Sequence, residues 1–275
     1  MKKNIKLIAL DLDGTLLTDK KCVTEHTKQV LQEAVKKGVL VMPATGRGIT
    51  AIPDVVMNAV EFPYALTVNG AVVWDLKKRE KIYTSYMDIL TARKAMDYAF
   101  TMDTIPDVYL DGHAYSQRDR IAQLDRFAES EQQKQMLLSS RILVDDIREY
   151  MEKNPNQIEK VNVLFVNQED RERARRHWIE EGEVETTFSM GNNLELNGKG
   201  VSKGKALLEF GMSIGIRREE IMVCGDSSND IEMIKMAGFG VAMGNGNEEV
   251  KGIADFITKT NEEDGVAYAI EQFVL

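Results

Sequence analysis

Apolar residues along this chain gather in two textures. Toward both ends they form short runs, and residues 5–10 (I-K-L-I-A-L), 39–44 and 221–224 each read as a buried strand. Helical spacing separates these runs. Residues 25–37 carry Val30, Leu31, Ala34 and Val35 at helical spacing, with Gly38 placed to end the helix, and residues 49–60 resume a helical pattern whose start Pro53 blurs. Residues 64–68, 71–74 and 81–84 read as short strands, the first two joined through Asn69-Gly70. After residue 200 the alternation returns: a helix from Lys203 through Phe210, the strand at 221–224, a helix over 231–237, strands at 240–243 and 256–258, and a closing helix over 265–274.

The middle of the chain differs. From about residue 86 to about residue 190, long polar helical stretches at 91–102 and 117–150 are interrupted by apolar segments at 108–110 and 161–166. The pattern predicts an α/β protein with a doubly wound, mostly parallel Rossmann-like sheet built from both ends of the chain and an inserted α+β unit. The expected division is 1–85 and 191–275 for the sheet domain and 86–190 for the insert, which is read as a cap.

Residues able to do chemistry sit where the strands end. The first strand runs into Asp11, Asp13 and Gly14, the second into Thr45 and Gly46, and the strand at 221–224 into Asp226, Asn229 and Asp230, while Lys203 lies at a helix start. Loops at the carboxyl ends of an open α/β sheet converge, so these residues are expected at one edge, as a phosphate site. Each has an ordinary structural explanation on its own. Asp-Gly is a common turn pair, Thr45 and Asp230 can cap helices, Asn229 can serve a turn, and Lys203 can be a surface charge. Packing does not explain their joint placement. Two carboxylates about 4 Å apart repel by about 4 kcal/mol at an effective dielectric near 20, and a phosphate dianion worsens the repulsion. A divalent cation and Lys203 would offset it, and an oxygen-only set with few carboxylates makes Mg²⁺ the expected ion.

Rival loops fail on position. A calcium loop counted from Asp11 would need Gly and Glu where the chain has Leu16 and Cys22. A Walker loop around Gly198-Lys199 would need Gly and Ser or Thr where Asn193 and Gly200 stand, and Gly244-Asn245-Gly246 meets Glu249 in place of the third glycine of a dinucleotide loop. Serine-hydrolase chemistry lacks a G-x-S-x-G elbow.

Composition narrows the partners. With 275 residues and 43% apolar content the chain can bury a core, and no apolar run approaches the roughly 20 residues that cross a bilayer. The apolar body after Met1-Lys2-Lys3-Asn4 is about six residues long, too short for a signal peptide. Cys22 and Cys224 cannot form a disulfide framework, so a cytoplasmic setting is expected. A net charge of −9 argues against nucleic acid but permits a small anionic substrate held by a cation and a few basic side chains. The sequence assigns no oligomeric state.

Taken together, D-L-D-G-T at 11–15, Thr45-Gly46-Arg47, Lys203-Gly204 and G-D-S-S-N-D at 225–230 resemble the signature of the haloacid dehalogenase superfamily. The chain looks most like the Cof-type sugar-phosphate phosphatases, with further similar stretches at Val68-Asn69-Gly70-Ala71, at residues 240–245 and at residues 263–267. The resemblance implies a Mg²⁺-dependent phosphatase acting on small phosphorylated metabolites through an aspartyl-phosphate. It implies Asp11 as nucleophile and Asp13 as general acid and base. It places the metal on Asp11, the Asp13 carbonyl and Asp226, and the phosphoryl oxygens on Thr45, the Leu12 and Gly46 amides, Lys203 and Asn229. Asp230 would orient Lys203 or metal-bound water. A sugar phosphomutase and a non-catalytic phosphometabolite sensor are the alternative readings.

Overall fold

The computed structural model describes residues 2–275, which divide into two compact units. The first takes the residues up to Gly46 together with Ile52–Thr84 and Ser202–Leu275, and the second takes Arg47–Ala51 and Ser85–Val201.

The opening third forms strand β1 (Leu7–Leu10), helix α1 (Glu25–Lys36), β2 (Leu40–Pro43), a four-residue helix α2 (Asp54–Met57), and strands β3 (Tyr64–Thr67), β4 (Val72–Asp75) and β5 (Glu80–Thr84). Helix α1 forms where its apolar spacing predicts: Val30, Leu31 and Ala34 are buried, the Thr24 side chain caps Thr27 N, and Gly38 follows at φ +84°. The helix expected over 49–60 is interrupted. Pro53 has no amide to donate and stands as the N-cap of α2, so only short helical turns form on either side of it.

The middle third, the second unit, contains α3 (Ile89–Phe100), β6 (Thr104–Leu110), β7 (His113–Gln117), α4 (Arg118–Ile121), α5 (Glu131–Ser140), β8 (Arg141–Val144), α6 (Ile147–Lys153), β9 (Ile158–Phe165), α7 (Gln168–Glu181), β10 (Val184–Thr187) and β11 (Asn193–Gly198). Its six-stranded sheet has the order β10-β11-β9-β6-β7-β8, and only the β7–β8 pair is parallel. One face of the sheet packs on α3, α6 and α7 through Val108, Val161, Val163, Leu194, Leu196, Ala95 and Trp178. Alternate residues carry a buried polar network. The Asp107 carboxylate accepts from Arg141 Nη2 at 2.9 Å, Asn162 Nδ2 at 3.1 Å and Ser116 Oγ, and Lys160 Nζ reaches Glu195 Oε1 at 2.6 Å.

Two expectations change here. The stretch 117–150 is not a long helix, because Arg141–Val144 joins the sheet edge as β8, its Arg141 drawn to the buried Asp107. Residues 191–201 belong to the second unit, because β11 is hydrogen-bonded between β9 and β10. Arg47–Ala51 also pack with this unit, where Thr50 Oγ1 donates to Gly112 O at 2.9 Å.

The last third returns to the first unit with α8 (Lys203–Ser213), β12 (Ile221–Gly225), α9 (Ile231–Met236), β13 (Phe239–Ala242), α10 (Glu248–Ile253), β14 (Phe256–Ile257) and α11 (Gly265–Phe273). The sheet order is β14-β13-β12-β1-β2, and every pair in it is parallel. From β1 the chain winds one way to β2, and from β12 it winds the other way to β13 and β14, so the topological switch lies between β1 and β12. In-register pairing sets Leu10 beside both Cys224 and Pro43, which brings the residues that follow the three strands to one edge. Strand β3 continues beyond β2 through a parallel bridge between Ala44 and Leu66, then pairs with β4 and β5 in a small antiparallel sheet.

Candidate active site

At the switch edge the backbone ladder hands directly into side-chain chemistry. Asp11 N donates to Cys224 O at 3.0 Å, so the first residue past β1 is held as firmly as the strand itself. Asp226 follows β12, with Asp226 N and Ser227 N both donating to Asp230 Oδ2, at 3.0 and 3.1 Å. Lys203 is the first residue of α8, whose N-cap is the Ser202 side chain. Its Nζ lies 2.6 Å from Asp11 Oδ1 and 2.7 Å from Asp230 Oδ1, with the lysine fully buried.

Among the described residues, Asp11, Asp226 and Asp230 place carboxylate oxygens within 4.8 Å of one another. Such a group is costly without a cation. Burial and the neighbouring carboxylates of Asp230 and Asp226 push Asp11 well above the usual carboxylate range, despite the opposing pull of Lys203. Burial, followed by the Asp230 charge, raises Asp226 to about 7. Burial alone would lower Lys203, but Asp11 and Asp230 outweigh it and hold the ammonium charged. Asp230 is committed to Lys203 and two amides, whereas Asp226 accepts the Thr15 hydroxyl at 2.8 Å. The donor set therefore fits a hard divalent cation on Asp11 and Asp226, with the Asp230 side chain spent on orientation.

The remaining candidates occupy the same unit. Thr45 is buried beyond β2, its N donating to Leu66 O at 2.9 Å, and Gly46 follows it half-buried. Leu12 is buried and its carbonyl accepts from Leu17 N at 2.8 Å, which folds the loop back over the strand end. Asn229 Nδ2 donates to Asn69 Oδ1 at 3.1 Å, and Asn69 N donates to Thr45 O at 3.1 Å. Asp13 lies at the more open side of the group, with Lys21 Nζ 2.8 Å from its Oδ1.

Three participants were not singled out from the sequence as site residues. Asn69 bridges the Thr45 and Asn229 loops, and it does so from strained backbone, since Val68, Asn69 and Gly70 have φ of +49°, +57° and +98°. The Asn-Gly pair was the available signal. Thr15 fixes Asp226, and its place beside the Asp-Gly turn could have suggested it. Lys21 had no local signal, because only the path of the loop brings it back to Asp13.

With this geometry in view, comparison with known proteins is unambiguous about kinship. A family model for haloacid dehalogenase-like hydrolases matches residues 8–270, and the chain belongs to that family. It falls in the family's Cof-type branch and is a phosphoric monoester hydrolase by class. The 5-amino-6-(5-phospho-D-ribitylamino)uracil phosphatase YcsE of Bacillus subtilis is 33% identical over 278 residues, covering 99% of this chain and 97% of that protein. The pyridoxal phosphate phosphatase YbhA of Escherichia coli is 27% identical over 286 residues, covering 96% and 97%. Among solved structures, a haloacid dehalogenase-like hydrolase from B. subtilis superposes with a TM-score of 0.86 at 28% identity, covering 98% of this chain and all of that one.

Proposed function

We propose that the protein is a Mg²⁺-dependent phosphatase of small phosphorylated metabolites, sugar phosphates and related phosphorylated polyols, working through an aspartyl-phosphate. The observation that carries this reading is the buried ion pair between Lys203 and Asp11, beside Asp226 at the carboxyl ends of β1 and β12. Asp11 would attack phosphorus in line, forming an oxygen–phosphorus bond as the ester oxygen leaves. Asp13 would give that oxygen its proton, then take one from the water that hydrolyses the aspartyl-phosphate and restores the Asp11 carboxylate. Lys203, Asn229, the Thr45 hydroxyl and the Leu12 and Gly46 amides would hold the phosphoryl oxygens, and Asp230 keeps Lys203 aimed at Asp11. Asp11, the Asp13 carbonyl and Asp226 would hold Mg²⁺, which when bound neutralises charge on the transferring group.

The named substrates of the relatives, 5-amino-6-(5-phospho-D-ribitylamino)uracil and pyridoxal phosphate, are both small phosphorylated metabolites, which supports this substrate class. Selection among esters falls to the second unit, read as a cap, since the phosphoryl-binding groups of the first are indifferent to the leaving group. No helix among the described residues is long and apolar enough to cross a membrane, and Cys22 and Cys224 are both free, in keeping with a cytoplasmic setting.

The test is phosphate release from a panel of sugar phosphates, the ribitylaminouracil phosphate, pyridoxal phosphate and an aryl phosphate. Chelation should abolish turnover and Mg²⁺ restore it, while Ca²⁺ should bind and inhibit, because its larger coordination shell allows a bidentate Asp11. Asp11→Asn should fold and be inactive. A folded Asp11→Asn protein that keeps a tenth of the activity, or full turnover in excess chelator, would overturn the reading.

A further inference from the structure

The loop after β1 makes a contact that neither phosphate binding nor metal binding requires. It doubles back on itself: Asp13 bridges to Leu17, Thr18 N donates to Cys22 O at 3.0 Å, and Lys21 N donates to Thr18 O at 2.8 Å. From the outside, Asn261 Nδ2 pins it through Leu17 O at 3.0 Å and Asp19 Oδ1 at 3.2 Å. At the tip of this fastened turn Lys21 adopts φ +57°, a left-handed conformation that a lysine does not favour. The outcome of that geometry is Lys21 Nζ 2.8 Å from Asp13 Oδ1, across eight residues of sequence.

We infer that Lys21 is a positioning residue, whose ammonium, carried on a backbone-locked turn, fixes the carboxylate of Asp13 in the orientation from which it serves the leaving group. The inference rests on the role proposed above for Asp13. The support is geometric. The turn that presents Lys21 is fastened by its own backbone bonds and by Asn261, so the chain aims the lysine side chain at Asp13 and leaves only its own rotamers to be ordered by the 2.8 Å contact.

An oriented acid matters only when the departing oxygen needs a proton. Lys21→Met should therefore lower kcat on an alkyl phosphate such as a hexose 6-phosphate by about 10-fold, a part of the 10²- to 10⁴-fold that a general acid supplies. On p-nitrophenyl phosphate, whose leaving oxygen departs unprotonated, the fall should be about twofold or less. Lys21→Arg, which keeps the charge, should recover most of the alkyl-phosphate rate. Asp13→Asn is run in parallel, with thermal melts confirming that each variant folds. If Asp13→Asn discriminates between the two esters and Lys21→Met lowers both equally, or neither, the positioning role is wrong while the proposed function stands. An Asp13→Asn variant that fails to discriminate overturns the acid role of Asp13 and the inference with it.

Discussion

Lys203 and Asp11, 192 residues apart in the chain, form a buried ion pair 2.6 Å long at the switch point of the parallel sheet. A second carboxylate, Asp230, lies 2.7 Å from the same ammonium. The lysine thus ties the strand end at one terminus of the chain to the loop after β12, near the other.

Removing that ammonium should be costly. Lys203→Met leaves two buried carboxylates facing each other, and a broken buried pair typically costs about 3–5 kcal/mol. Urea unfolding should show a loss of this size. Adding Asp230→Asn to the Lys203→Met protein should return part of the stability, since one of the stranded charges is then gone. A double variant no more stable than the single one would contradict the electrostatic account.

Without metal, stability should fall as the pH rises through the acid range. Burial and the Asp230 charge raise Asp226 to about 7 from the ordinary aspartate value of 3.8, so between these pH values the folded protein holds a proton that the unfolded chain has released. Asp11, also raised, adds in the same direction. Glu220 works oppositely: its hydrogen bond from Lys6, with further ones from Arg217, lowers it to about 2, so its contribution is lost only as pH falls from about 4.5 toward 2. Thermal melts in chelator from pH 4.5 to pH 7 should therefore show a declining Tm. Saturating Mg²⁺ should shrink or reverse the decline, because the cation displaces those protons.

Gly14 has φ +81°, and a Cβ there would stand 2.5 Å from Asp226 Oδ2 and 2.9 Å from Asp226 Cγ. Gly14→Ala must strain the turn and displace a proposed metal ligand. The Mg²⁺ concentration for half-maximal activity should rise by about 10-fold or more, as it does when groups orienting a metal ligand are lost. The backbone strain should cost about 1–2 kcal/mol of stability. An unchanged Mg²⁺ requirement would show that Asp226 is not a ligand.

Asn69 allows strain to be separated from hydrogen bonding. Asn69→Ala removes the acceptor for Asn229 Nδ2 and leaves a Cβ residue at φ +57°, whereas Asn69→Gly removes the acceptor but suits that backbone. The glycine variant should melt higher than the alanine variant. Both should lose kcat/KM by about 5-fold or more, because Asn229 loses its fixed direction in each. Full activity in Asn69→Gly would show that the backbone alone places the Asn229 loop.

The short apolar runs and the helical spacing between them were enough to specify a parallel sheet built from both chain ends. Burial is a local property of such runs: β1, β2 and β12 lie where residues 5–10, 39–44 and 221–224 predict them. Parallel strands align their carboxyl ends, so Asp11, Thr45 and Asp226 could be assigned to one edge before any contact was known. The polar second unit was harder to read. Strand β8 and the membership of β11 depend on hydrogen bonds to strands far along the chain, and Arg141, Lys160 and Asn162 are buried because they pair with Asp107 and Glu195, which no local pattern encodes.

The same division runs through the site. Sequence alone determined which strand ends carry carboxylate, hydroxyl, amide and ammonium groups, because a strand's direction and the residue that follows it are properties of the chain itself. Tertiary structure alone decided which of those groups face one another. It matched Lys203 to both Asp11 and Asp230, set Asn69 between Thr45 and Asn229, and brought Lys21 around to Asp13. Those pairings follow from loop paths and inter-strand register, which form only when the whole sheet is assembled and water is excluded from the charges at its edge.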